Sequence, residues 1–314
     1  GNLIQIESKK KGCTGNEMLG IRSPKKSKAL LFPREIVLLL VFAAVWIIGV
    51  AKIRPLSTQQ KIPAIVHFIF GLKDDFGGKP FNLIHFLAVK AAHEVIRPTE
   101  IIFYYKYKPS GEWWDRAKPY LTLVKVEPIT NIYGNKVDHM SHRADILRLQ
   151  ILREKGGIYL DMDVIALKSF DQLLKHEFVM GQEGVGGGVG LCNAVMLSRP
   201  HSAFIERWME SYKKFDQNHW NHHSVVLPKQ MAVDHAEDIH IINHKGFFWP
   251  LWNPEGLNTF VNESSYSYRE NYAVHLWEQA AYDLYLKHVT PSYIRNVRNN
   301  LTKVLRRFLP KQIT

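Results

Sequence analysis

The stretch His142-Arg-Ala-Asp145-Ile-Leu-Arg148-Leu-Gln-Ile-Leu-Arg-Glu-Lys155-Gly156-Gly157-Ile-Tyr159-Leu-Asp161-Met-Asp163 decides the architecture. Over His142–Lys155, Leu147 and Ile151 stand four positions apart, on one face of a helix, and Gly156-Gly157 stop that helix. Ile158–Leu160 then reads as a short apolar strand running directly into two aspartates. Alternate side chains of an extended segment point to the same side, so Asp161 and Asp163 present their carboxylates together past the strand end. Hard oxygen ligands at that spacing suit Mn²⁺ or Mg²⁺ and leave positions open for phosphate oxygens. One helix earlier Asp145 and Arg148, at i and i+3, share a face. One carboxylate and one guanidinium can therefore reach a ligand beside the metal.

Outward from this stretch, strand and helix patterns alternate. Ala64–Phe70 predicts a strand ended by Gly71, Asn82–Glu94 a helix with apolar Leu83, Phe86, Leu87 and Val89, and Glu100–Tyr107 a second strand. Trp113–Tyr120 predicts a short helix and Leu121–Val126 a third strand. Such alternation implies an α/β fold with a mostly parallel, helix-flanked sheet, which binds ligands at the carboxyl ends of its strands. The run Gly184–Gly190 lacks the Gly-Lys-Ser/Thr of a phosphate loop and reads as a plain or mobile connection.

The 314 residues include 41 Lys plus Arg against 29 Asp plus Glu, a net charge of +12. Such an excess first suggests nucleic acid or an anionic membrane. It is entirely terminal: residues 1–35 carry +5, residues 36–286 are neutral, and residues 287–314 carry +7. A nucleic-acid-binding domain would spread basic residues over its folded face, so that class is set aside. Ile36–Ala51 contains no charged residue and is apolar all round, which predicts a membrane-spanning signal anchor with a cleaved signal peptide as its competitor. The expected layout is a basic cytosolic tail (1–35), an anchor (36–52), a short stem (53–62), a folded body (63–290) and a basic amphipathic helix (291–314). The surplus of basic residues before the anchor places the body in the ER or Golgi lumen, as a single-pass type II protein. Two acceptor triplets, Asn262-Glu-Ser and Asn300-Leu-Thr, agree with that side. The chain has only two cysteines, Cys13 and Cys192, which excludes a disulfide scaffold.

The pattern from His142 to Asp163 resembles the signature of the DXD-containing glycosyltransferases of family 32, which includes fungal mannosyltransferases and the α-1,4-galactosyltransferase of glycolipid synthesis. The resemblance extends more loosely from Ile62 to Trp277. It implies a GT-A fold, a nucleotide-sugar donor such as a UDP-hexose or GDP-mannose, a divalent metal (Mn²⁺ or Mg²⁺), a glycan or glycolipid acceptor, and transfer with retention. Carried over, Asp163 would bind the metal, Asp161 the ribose or the metal's water shell, and Asp145 and Arg148 the transferred sugar and the charge near the β-phosphate. Phe70 would face the nucleobase. His275 and Trp277 match a late His-x-Trp element, with His275 reaching the metal or diphosphate. Asn193 would lie near sugar or acceptor. Among the later aromatic and polar residues, His223 and Trp249 are expected on the acceptor side. No carboxylate is assignable as a nucleophile, so same-face attack assisted by the leaving phosphate is the expected route. The rival from another class is a non-catalytic lectin-like or scaffold protein on a transferase fold. A metal-dependent phosphohydrolase would need further ligands grouped near these aspartates.

Overall fold

The computed structural model describes residues 61–311; the expected tail, the anchor at 36–52 and nearly all of the stem lie outside the described residues. Among the described residues no helix is long and apolar enough to cross a membrane. In chain order the strands are β1 (Ile65–Ile69), β2 (Glu100–Tyr105), β3 (Thr122–Lys125), β4 (Asn131–Ile132), β5 (Asn135–Lys136), β6 (Gly157–Leu160), β7 (Val164–Ala166), β8 (Phe178–Glu183), β9 (Gly190–Ser198), β10 (His240–Ile242) and β11 (Ala273–His275). The helices are α1 (Leu83–Ala91), α2 (Glu112–Ala117), α3 (Met140–Lys155), α4 (Ala203–Ser211), α5 (Leu227–Asp234), α6 (His244–Phe247), α7 (Pro254–Val261), α8 (Glu278–Ala281), α9 (Pro291–Asn296) and α10 (Asn300–Leu305).

Seven strands form one sheet in the order β10-β8-β9-β6-β1-β2-β3. Pairing is parallel between β1 and β2, β1 and β6, β2 and β3, and β8 and β10. Only β9 runs against its neighbours, β6 and β8. The glycine run at 184–190 explains that reversal: it is the tight connection of a β8–β9 hairpin, with Gly184, Gly186 and Gly187 at positive φ. The mostly parallel α/β fold read from the alternating pattern is therefore present.

Period-2 alternation divides the core. Ile101 and Phe103 of β2 face the layer containing α1 and the C-terminal helices, whereas Ile102 and Tyr104 face the layer containing α3 and α4. Each fully buried aliphatic or aromatic side chain contributes roughly 1.5–3 kcal/mol to this arrangement. Asn82 starts α1 by accepting from the amides of Ile84 and His85, and His85 Nδ1 accepts in return from the Asn82 amide at 3.1 Å.

The hinge between α3 and β6 requires glycine. Gly157 sits at φ +105, and a Cβ there would lie 2.6 Å from the Ile65 carbonyl and 2.7 Å from His67 Nε2. That close approach lets β6 pair with β1 and brings the α3 face and the β6 end to one edge of the sheet.

The single amphipathic helix expected over 291–314 is replaced by two short ones, α9 and α10, separated at Val297–Asn299. Asn299 caps α10 by accepting from the Thr302 amide at 2.9 Å, which starts a new helix rather than continuing the old one. Ile294, Leu301, Val304, Leu305 and Phe308 are buried in the core, and Arg307 donates to the Leu167 carbonyl at 3.1 Å. The segment is docked on the domain. Asn300 is fully buried, donating from its side chain to the Thr259 carbonyl and accepting from the Tyr266 amide. Asn262, by contrast, is the exposed C-cap of α7.

Candidate active site

The second sheet, the antiparallel β7–β11 ribbon, pairs His275 with Val164. The turn from β6 into β7 is closed by the Val164 amide donating to the Asp161 carbonyl at 3.0 Å, and Asp163 lies within it. The ribbon thus brings a histidine more than a hundred positions downstream onto the Asp-x-Asp segment. His275 Nε2 lies 3.2 Å from Asp163 Oδ1, and the Glu278 amide donates to Asp163 Oδ2 at 2.7 Å.

Arg148 occupies the centre of the neighbouring cluster. Its Nη1 lies 3.1 Å from Asp161 Oδ1 and donates to the Asn193 carbonyl at 3.0 Å and to Asn193 Oδ1 at 3.1 Å. Its Nη2 is 3.5 Å from Asp145 Oδ1, as the i,i+3 spacing requires, and its guanidinium lies over the Tyr159 ring at 4.4 Å. Asn193 Nδ2 donates to Asp145 Oδ1 at 2.7 Å, and Tyr159 Oη donates to Asp161 Oδ1 at 2.7 Å. In this arrangement the guanidinium fork is engaged by protein acceptors. Arg148 therefore bridges the carboxylates of Asp161 and Asp145 while also lining the cleft.

These groups line a cleft of about 780 Å³ at the carboxyl ends of the central strands. Phe70, Asn193 and Trp277 also line it. Phe70 is part-buried and stacks on Phe76 (ring centroids 5.6 Å, planes 13° apart), with His85 4.9 Å away. Trp277, at φ +58, packs on His275 at 4.1 Å and donates to the Pro250 carbonyl. His223 and Trp249 are not among the cleft-lining residues. His223 is buried between Tyr212 and Phe215, and Trp249 packs against the core near His244. The cleft presents Trp220 and Trp252 instead, 52% and 42% exposed. Trp252 Nε1 donates at 2.8 Å to Glu183, a buried carboxylate at the end of β8. The local sequence contained the right aromatics, but nothing in their spacing distinguished Trp252 from Trp249. Lys73 and Lys79, in the loop after β1, complete the rim.

Burial pushes the Asp161 carboxyl up, more than Arg148 lowers it. Burial also works to raise Asp163, but the cationic His275, hydrogen-bonded to it, and the Glu278 amide outweigh that and hold it at about 2. Burial would lower His275, yet Asp163 raises it above its ordinary value. With His275 protonated, the three carboxylates, one guanidinium and one imidazolium leave a formal charge of −1, which becomes −2 when the imidazole gives up its proton. Ligand atoms of Asp161, Asp163 and His275 lie within 4.8 Å of one another, and His275 Nδ1 is buried without a hydrogen-bond partner. Two carboxylates and an imidazole in a site of net negative charge are a donor set that fits a divalent cation such as Mn²⁺.

Residues 86–180 match the family described as the glycosyltransferase sugar-binding region containing the DXD motif. The chain is 36% identical over 270 residues to Glucan organizing enzyme 1 of Cryptococcus neoformans var. grubii, covering 81% of this chain and 74% of that protein. Solved structures give looser likenesses. The apo glycosyltransferase GlyE of Streptococcus pneumoniae is 13% identical with a TM-score of 0.46, covering 78% of this chain and 60% of that one. The PaToxG glycosyltransferase is 15% identical with a TM-score of 0.37, covering 78% and 87%. The matched segment spans Asp145, Arg148, Asp161 and Asp163, and with the fungal relative it establishes that the chain belongs to the DXD-motif glycosyltransferases.

Proposed function

We propose that this glycosyltransferase is a retaining, divalent-cation-dependent enzyme of the GT-A type that moves a hexose from a UDP- or GDP-sugar to a hydroxyl of a glycan or glycolipid. The observation that supports this most is the meeting of Asp161, Asp163 and His275 beside the Arg148-centred cluster. In this reading Asp161, Asp163 and His275 hold Mn²⁺ or Mg²⁺. When bound, the ion offsets charge on the departing diphosphate as the anomeric C–O bond breaks. Lys79 at the rim adds positive charge for the same leaving group, Lys73 being paired with Asp75. Arg148 holds Asp161 and Asp145 in place, and Asp145 with Asn193 faces the sugar hydroxyls. Phe70 and Phe76 offer aromatic faces to the nucleobase.

The acceptor is placed against Trp252 and Trp220, whose rings suit the apolar face of a pyranose. Around Trp220 the cleft is lined by Met140, Ser141, Asn221, Ser224 and Val225, uncharged residues that suit a neutral sugar chain. The fungal relative carries the word glucan in its name, which makes glucan oligosaccharides the first acceptors to test. The chain is further proposed to work in the Golgi or ER lumen, anchored through residues 36–52.

A panel of UDP-galactose, UDP-glucose and GDP-mannose, assayed for Mn²⁺-dependent sugar release, tests this reading. Turnover of one donor, lost in Asp163→Asn, is the expected result. No turnover of any donor would favour a lectin-like or scaffold protein.

A further inference from the structure

We infer that Glu278 is a positioning residue for the cation site, a clasp that ties the Asp163 carboxylate to the N-terminus of α1. This rests on the proposed reading of Asp163 as a cation ligand. The Glu278 backbone amide donates to Asp163 Oδ2 at 2.7 Å, and the Leu276 amide donates to the Asp163 carbonyl at 3.0 Å. Oδ2 is thereby engaged, and Oδ1 is the oxygen that faces His275.

A backbone amide on a short helix orients a carboxylate only if the helix itself is fixed. Here the fixing comes from the Glu278 side chain. Its Oε1 accepts from Asn82 Nδ2 at 3.2 Å and its Oε2 lies 3.2 Å from His85 Nε2. Because His85 Nδ1 accepts from the Asn82 amide, Nε2 carries the hydrogen and donates to Glu278. Lys79 Nζ, at 3.4 Å from the Glu278 carbonyl, adds a third tie. His85 is fully buried and contacts Phe70. A continuous chain of contacts therefore runs from the aromatic wall through His85 and Glu278 to Asp163. Asn82 and His85 are more than 190 positions from Glu278, so the clasp joins the first helix of the domain to the segment carrying His275.

Outer groups that orient a metal ligand are typically worth tenfold to a hundredfold in metal affinity. Binding of Mn²⁺ alone to the full chain, followed by the loss of its free-ion magnetic resonance signal, tests the clasp. Glu278→Ala should weaken Mn²⁺ about tenfold while circular dichroism and the metal-free melting midpoint stay close to wild type. Glu278→Gln, which keeps one acceptor oxygen, should weaken it less. Asn82→Ala cuts the clasp from its other end and should also weaken Mn²⁺, which keeps the test open if Glu278→Ala does not fold. Wild-type Mn²⁺ affinity in a folded Glu278→Ala or Asn82→Ala variant overturns the inference. Failure of the wild-type protein to bind Mn²⁺ overturns the cation site itself, and the clasp with it.

Discussion

The two walls of the cleft are built on opposite plans. On one, Asp145, Asp163, Arg148 and His275 are buried, Asp161 is half-buried, and all five are cross-bonded. On the other, around the β8–β9 connection and residues 220–225, the lining is largely uncharged and two tryptophans stand substantially exposed. Charged groups out of water demand partners, so the first wall is over-determined and rigid. Exposed indoles beside a concave surface are unsatisfied apolar area, so the second wall is completed by what binds there. Chemistry and recognition are thus separated in space, and substitutions on the two walls should fail in different ways.

The sharpest contrast comes from Asp163→Asn, which should lower cation-dependent turnover by roughly 10³-fold, comparable to losing a group that stabilises transition-state charge. Its secondary structure should persist. Steady-state kinetics at saturating Mn²⁺ checks this, and a loss under tenfold would remove Asp163 from the reaction. Arg148→Ala should act on stability instead, because buried Asp145 and half-buried Asp161 lose the cation between them and keep only neutral hydrogen-bond donors; about 3 kcal/mol is expected, read by urea unfolding. Arg148→Lys should recover only part of that, since an ammonium cannot reproduce the planar fork.

Behind the charged wall, His67 gives a pH-dependent effect. It is fully buried, with Nε2 2.8 Å from the Gly156 carbonyl, and burial lowers its pKa from 6.5 to about 4. As pH falls from 6.5 toward 4, the unfolded chain takes up this proton first. The His67 contribution to stability is therefore complete above pH 6.5 and is lost on acidification, by up to about 3 kcal/mol. His67→Gln should flatten that decline between pH 7 and 4.5 in denaturant titrations; an unchanged slope would show that His67 does not control it. The recognition wall should yield the smallest change. Trp252→Ala or Trp220→Ala is expected to raise KM for a glucan oligosaccharide acceptor about tenfold, about 1.4 kcal/mol, while leaving hydrolysis of the donor alone unaffected. Equal losses in both assays would erase the distinction between the walls.

The charged wall was the legible one. Asp145, Arg148, Asp161 and Asp163 lie within one helix, one glycine pair and one strand, so local periodicity placed them together. The first three strands and the helices between them were legible for the same reason. What escaped was set by long-range pairing. The reversal of β9 is marked only by the glycine run before it, which reads equally as a plain or mobile connection, and β7 and β11 are three residues each, too short for an alternation to register. Glu278 looked like any surface acid because its partners Asn82 and His85 are remote in sequence. Trp249 and Trp252 are three positions apart in sequence, yet one packs on the core and the other stands in the cleft. The C-terminal helix was misread because the cap at Asn299 breaks a pattern whose apolar spacing continues across it.

The buried Asn300 has a practical meaning for anyone weighing this chain on a gel. Its Asn-Leu-Thr triplet is consumed by the fold: Asn300 bonds inward, and Thr302 Oγ1 accepts from the Asn299 amide at 3.2 Å. Once α10 has docked, a sugar-adding enzyme finds no amide there to modify. Of the two triplets, Asn262 alone remains accessible in the folded domain. Enzymatic sugar removal from correctly folded protein should therefore shift its mass by one glycan at most. A two-glycan ladder would be the signature of chains trapped before their C-terminus found its place.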